Sequence, residues 1–213
     1  MARMRRNFAD FVSGKLGNVV FVTNGKKSYV RSIPHREKNS WSEAQVLYRN
    51  RISRVAALWR SVNSVQMCNI WNKATDAMNG YAWFVKKNMP AFSIDGTVID
   101  PSLLFVSDGS LIGLQNSTAS KAPGTELLVN VSWDNDEHLK SERLNDRIWA
   151  VSFYEGRFSS LLDTGLVRSD KQGSFLLPLI PYSDAPASGE LFLYLFTSTA
   201  DEKFFSTSKY FKI

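Results

Sequence analysis

Asp134, Asp136, Glu137 and His138 are the densest group of chemistry-bearing side chains in this sequence, within the stretch WDNDEHLKSERLND. Carboxylates at alternate positions suit a calcium loop or a general acid and base pair. The stretch lacks the twelve-residue EF-hand spacing and its central glycine. No cleft residues can be paired with Asp134 and Asp136. His138 has carboxylate neighbours but no nucleophile elbow anywhere to serve. Cys68 is the single cysteine. It falls in a helical stretch with no nearby base, so it reads as a small buried hydrophobe rather than a nucleophile. Two histidines and one cysteine cannot furnish a His/Cys zinc cluster. The glycines of GKLG, at Gly14 and Gly17, precede a strand instead of following one and lack the Lys-Ser/Thr pair of a phosphate loop. The expectation is a protein that is not an enzyme, with no cofactor and no metal.

Positive charge is the other resource. Arg3, Arg5, Arg6, Lys26, Lys27, Arg31, Arg49 and Arg60 are candidate interaction or phosphate contacts. Residues 1–90 hold 16 Lys/Arg against 4 Asp/Glu, and residues 91–213 hold 10 against 16. A basic half can meet nucleic acid. It can equally meet the acidic half of a neighbouring protein.

These residues need elements to hold them. Asn24-Gly25, between VVFV and the run ending at Arg31, is the strongest hairpin signal in the sequence, because both central residues of a type I′ turn need positive φ. It would pair Thr23 with Lys26, Phe21 with Ser28 and Val19 with Val30. Pro34 ends the second strand. Ser40 to Glu43 is a capping box, with Ser42 as the rival cap. A helix is expected from Trp41 to Val62. Ala44, Leu47, Tyr48, Ile52, Val55, Leu58, Trp59 and Val62 share one arc of it, with Arg49, Ser53 and Arg60 opposite. Arg51 and Arg54 sit at or beside the edge of that arc. A second helix is expected from Val65 to Met78, with Asn79-Gly80 as its C-cap, and a third from Tyr81 to Asn88 before Pro90.

Turn signals at Asp95-Gly96, Pro101 and Asp108-Gly109 mark a change of texture, and STASKAPG (117–124) reads as a polar link. From Thr125 the period becomes two. Runs at 127–133, 147–154, 158–162, 174–179, 190–198 and 207–213 read as about six strands. The fold class is therefore α+β: a hairpin and about three helices, then an antiparallel β-sandwich of the immunoglobulin or fibronectin kind. Three regions are expected: a basic hairpin-plus-helical region (1–90), a linker with short strands (91–124) and the sandwich (125–213).

No apolar run is long enough for a signal segment or a membrane span, and a disulfide within the chain is impossible. Such a chain fits a reducing compartment.

Three blocks carry a resemblance. They are GKLGNVVFVTNGKKSYVRSIP with the capped helix after it, IWNKATDAMNGYAWFVKKNMPAF with DPSLLFVSDGSL, and a terminal set running from LLVNVSWDND to STSKYF. Together they resemble an uncharacterised family of Bacteroidota and their mobile elements, over nearly the whole chain. The resemblance implies a fold and a domain of unknown function, with no active site to carry over. The expected function is a non-enzymatic structural or assembly protein working through protein–protein contacts with other subunits, in a homo- or hetero-oligomer. A phage virion ring, connector or tail component is its concrete form, and the setting this implies is the bacterial cytoplasm during assembly and then the virion. The alternative is nucleic-acid binding by the basic half, and a third reading is a sandwich that binds a surface ligand through loop 134–146 with exposed Trp149 or Tyr154.

Overall fold

The run Phe192-Leu193-Tyr194-Leu195-Phe196 has no polar residue to mark a wet face, and in the computed structural model it is buried on both sides. The structure describes residues 13–24, 27–33, 41–62, 64–76, 78–123, 128–136, 139–177 and 190–213. The chain divides into two units, Met1–Ser42 and Glu43–Ile213.

The first unit is a three-stranded antiparallel sheet: β1 (Gly14–Leu16), β2 (Val19–Asn24) and β3 (Lys27–Ser32), in that order. Gly17, at φ 57°, makes the β1–β2 turn. The hairpin register differs from expectation. Asn24 pairs with Lys27, Phe21 with Val30 and Val22 with Tyr29, so Asn24 belongs to the strand and not to the turn. The new register sets apolar side chains opposite one another, where the expected one set Phe21 against Ser28. The pairing moves by two positions, so each residue keeps its face. None of the described residues of this sheet is buried, and Leu16 is 72% exposed. A three-stranded sheet with no core of its own is marginal in water, and its apolar side chains need cover from outside the sheet.

The second unit begins with α1 (Glu43–Val62), which places Ser42, not Ser40, before its first turn. Ser64 caps α2 (Val65–Lys73) by accepting from Met67 N at 3.1 Å. Asn79 was expected to close the second helix. Instead it opens α3 (Gly80–Asn88), its Oδ1 accepting from Ala82 N at 2.7 Å. The same side-chain oxygen that suits a C-cap turn suits an N-cap, and here the free N–H groups of α3 claim it. A Cβ on Gly80 would stand 2.6 Å from Asn72 N, so glycine is what lets α2 and α3 approach.

The strands that follow are β4 (Gln115–Lys121), β5 (Leu128–Asp134), β6 (Arg147–Tyr154), β7 (Arg157–Phe158), β8 (Leu162–Val167), β9 (Gln172–Leu176), β10 (Phe192–Ser198) and β11 (Lys209–Lys212). One sheet runs β4-β5-β9. The other runs β11-β10-β6, with β7 and β8 both on the far edge of β6. All pairings are antiparallel. The α+β class therefore stands, with the two sheets of a sandwich at its C-terminal end.

The alternation along β6 and β10 builds two cores. Ile148, Ala150, Leu193 and Leu195 face Val129, Val131 and Trp133 of the other sheet. Trp149, Val151, Phe153, Phe192, Tyr194 and Phe196 face a layer made by α1, α2 and α3. The order of layers is helices, five-stranded sheet, three-stranded sheet. Strands buried on both faces read as continuous apolar runs for this reason.

The expected division at 91–124 does not coincide with the unit boundary. Ala91, Phe92, Leu104 and Val106 are core residues under the helices, and Leu114 belongs to the second core. The polar stretch expected to be a link at 117–124 is largely β4. It is an edge strand with mostly exposed side chains, so Ser and Thr suffice there. Trp149 is buried and donates to Ser198 Oγ at 2.9 Å, and Tyr154 packs beside the second core. Neither offers the exposed ring that the surface-ligand reading required.

Candidate interaction site

The apolar arc of α1 outruns its core. Val55, Leu58, Trp59 and Val62 are buried, yet Ala44 and Tyr48 are exposed and Leu47 and Ile52 only half-buried. Tyr48 is 56% exposed. Leu47 and Tyr48 join Ile94 and the stem of Arg51 around a cavity of about 320 Å³. Arg51 itself is structural: its Nη2 donates to Met89 O at 2.7 Å, tying α1 to the turn after α3.

One turn further on, α1 forms a wall of a larger cleft of about 890 Å³. Arg54 and Arg60 come from α1, Arg157 from the start of β7 just after the tight β6–β7 turn, and Asp95 and Gly96 from the loop after α3. Glu155 and Gly156 both take positive φ, 47° and 76°, which is what a two-residue turn there requires. The floor is apolar, made by Phe92, Phe153 and Phe192. Three bonds brace the walls. Phe158 N donates to Ser61 Oγ at 3.1 Å, and Ser61 Oγ donates to Leu58 O at 2.7 Å. Tyr194 donates its hydroxyl to Pro101 O at 2.5 Å. Burial of that phenol raises its pKa, so it stays a neutral donor.

The loop carrying Asp95 is self-supporting. Its carboxylate accepts from the Ser93 hydroxyl, and from Thr97 N at 3.1 Å and Thr97 Oγ1 at 2.9 Å. These bonds, that of Ser93 first, lower the Asp95 pKa from 3.8 to about 2. A folded-state pKa below the unfolded one gives stabilisation that is present above pH 3.8 and lost as the pH falls toward 2. An NMR titration of the Asp95 side-chain carboxyl should therefore show a midpoint near 2; a midpoint at 3.8 would mean the turn is not formed in solution.

Of the charged residues expected from sequence, Arg3, Arg5, Arg6 and Lys26 lie outside the described residues. Lys27 opens β3, and Arg31 is exposed on the same strand. Arg49 and Arg60 are exposed on α1, and only Arg60 lines the cleft. Arg54 and Arg157 were missed as a pair with it. Arg54 stood at the margin of the apolar arc, and Arg157 followed a recognised turn, but only tertiary contact brings them to one cavity. Asp134 accepts from Asn116 Nδ2 at 3.0 Å, while Glu137 and His138 lie outside the described residues. Among the described residues no group of three His, Cys, Asp or Glu is placed to hold a metal ion. No helix among them is long and apolar enough to cross a membrane. Cys68 is half-buried against the helical core.

Fold and site together define a helix-covered β-sandwich with an arginine-lined cleft and an uncovered apolar half-helix. The chain belongs to a family of unknown function, DUF6266, whose profile matches residues 11–210. No curated protein and no solved structure matches the chain.

Proposed function

We propose that this protein is a non-enzymatic structural or assembly subunit that acts through protein–protein contacts. The observation that carries this reading is the uncovered start of α1. The same apolar arc that is buried from Val55 to Val62 continues over Ala44 and Tyr48, both exposed, and Leu47, only half-buried beside Ile94. Apolar surface of this kind is stabilised by burial against a partner. The three-stranded sheet at 13–33, which has no core, makes the same demand from a second place. A phage virion ring, connector or tail component is the concrete form, in keeping with the resemblance to a family on mobile elements.

The test is the mass of the protein in solution. The natively purified chain should run as a complex larger than its own 24.1 kDa. Leu47→Glu with Tyr48→Glu should reduce it to the single-chain mass without lowering its melting temperature, because both side chains lie outside the core. A wild-type protein that is monomeric at all concentrations and binds no co-expressed partner would sink the reading. A second reading, nucleic-acid binding, is favoured by the exposure of Arg31, Arg49 and Arg60. It requires binding that weakens steeply with salt.

A further inference from the structure

We propose that the cleft between α1 and the β6–β7 turn binds an acidic peptide segment of a partner protein, with one apolar side chain of that segment seated on the phenylalanine floor. The inference rests on the assembly reading and names the chemistry of one contact within it.

Charge comes first. Arg54, Arg60 and Arg157 form no ion pair among the described residues, although they converge on one cavity. The two cleft carboxylates do not neutralise them. Asp95 is occupied by Ser93 and Thr97, and Glu155 forms no ion pair among the described residues. Three unpaired guanidinium groups around one cavity favour carboxylate ligands, which each fork can hold by two parallel hydrogen bonds.

Shape comes second. Ala57 lies between Arg54 and Arg60 on α1, and its small side chain leaves the floor open between them. Phe92, Phe153 and Phe192 are 3%, 3% and 7% exposed, so they close the floor as a packed apolar surface with no open ring face. Stacking of nucleic-acid bases needs such open faces. A peptide with its acidic residues spaced around one apolar anchor fits both features. A volume of about 890 Å³ holds such an anchor and its neighbours.

Preorganisation comes third. The Arg54 stem lies against Gly96, where a Cβ would stand 2.6 Å from Arg54 Cγ. Gly96 also has φ 88°, a conformation that favours glycine. The Ser61 and Tyr194 bonds fix the opposite wall and the loop beyond. A cleft already in its binding shape loses less entropy when a ligand enters.

The experiment probes an array of random-sequence peptides with the full chain and with its R54E/R60E/R157E variant. Bound peptides should be rich in Asp and Glu around a single apolar residue. The strongest of them, fluorescently labelled, should lose about tenfold or more in affinity with the charge-reversed variant. The R49E variant, altered on the same helix outside the cleft, should bind it as the wild type does. The idea fails if the bound peptides are not acidic, if the variant binds them equally, if the array is silent, or if single-stranded oligo-dT displaces them from the cleft. The mass in solution separates this site from the half-helix surface: R54E/R60E/R157E should keep the wild-type assembly state while losing the peptide. Loss of assembly in Leu47→Glu/Tyr48→Glu with peptide binding intact would show the converse.

Discussion

Replacing Arg168 with Met should lower folding stability by about 3–5 kcal/mol, the cost of leaving a buried charge without its partner. Arg168 is 1% exposed. Its Nε meets Asp146 Oδ2 at 3.3 Å, and Asp146 is equally buried. Its guanidinium also donates to Thr197 Oγ1 at 2.9 Å, and to the carbonyls of Ile112 and Gly113. One side chain thus ties β10, the strand-like segment before β4 and the turn before β6. Burial pushes the Asp146 carboxyl up and the Arg168 guanidinium down, and each charge opposes the shift of the other. Without Arg168, the one cation left to Asp146 among the described residues is Arg143, at 3.9 Å. Urea unfolding measures the effect. Asp146→Asn placed in the Arg168→Met background should recover part of the loss, because it removes the stranded charge. A single-variant loss below about 1 kcal/mol would place Arg168 on the surface, where ion pairs contribute at that level.

Trp71→Ala should cost about 3–5 kcal/mol, the range for removing a buried aromatic side chain and leaving a cavity. Trp71 is 0% exposed, and its ring meets Phe84 edge-on at 5.1 Å. Its indole N–H donates to Val106 O at 2.9 Å, so the substitution also strands a carbonyl in the segment under the helices. The informative part is cooperativity. α2 shares its core with Phe192, Tyr194 and Phe196 of the sandwich. Helix signal by circular dichroism and strand signal by fluorescence of Trp133 or Trp149 should therefore shift together, in one transition. Two separated transitions, with only the helical one moved, would show that helices and sandwich fold independently.

The same shared core explains what could be seen in the sequence. ELFLYLFTS was legible as a strand, but that both of its faces are buried comes from the fold. What could not be seen is the sorting: aromatics Phe192, Tyr194 and Phe196 toward the helices, leucines toward the second sheet. The helices were placed to within a few residues, because apolar spacing at 3.6 and cap residues are local signals. β4 was missed because a solvated edge strand of Gln, Asn, Ser, Thr and Lys carries no apolar alternation.

The basic character of α1 was equally plain, but charge along a chain does not say which charges meet. Arg49 and Arg60 were grouped by helical spacing. The cleft instead joins Arg60 to Arg54 and to Arg157, about a hundred positions away. Likewise the apolar arc from Ala44 to Val62 was drawn whole from the sequence, and only the fold shows that its second half is buried and its first half is not. Local propensity, capping and patterning are written residue by residue, so the sequence alone determined the class of the elements and their order. Which faces are covered depends on contacts between residues far apart in the chain. Only the tertiary structure decided that an arginine cleft and a bare half-helix stand side by side on α1.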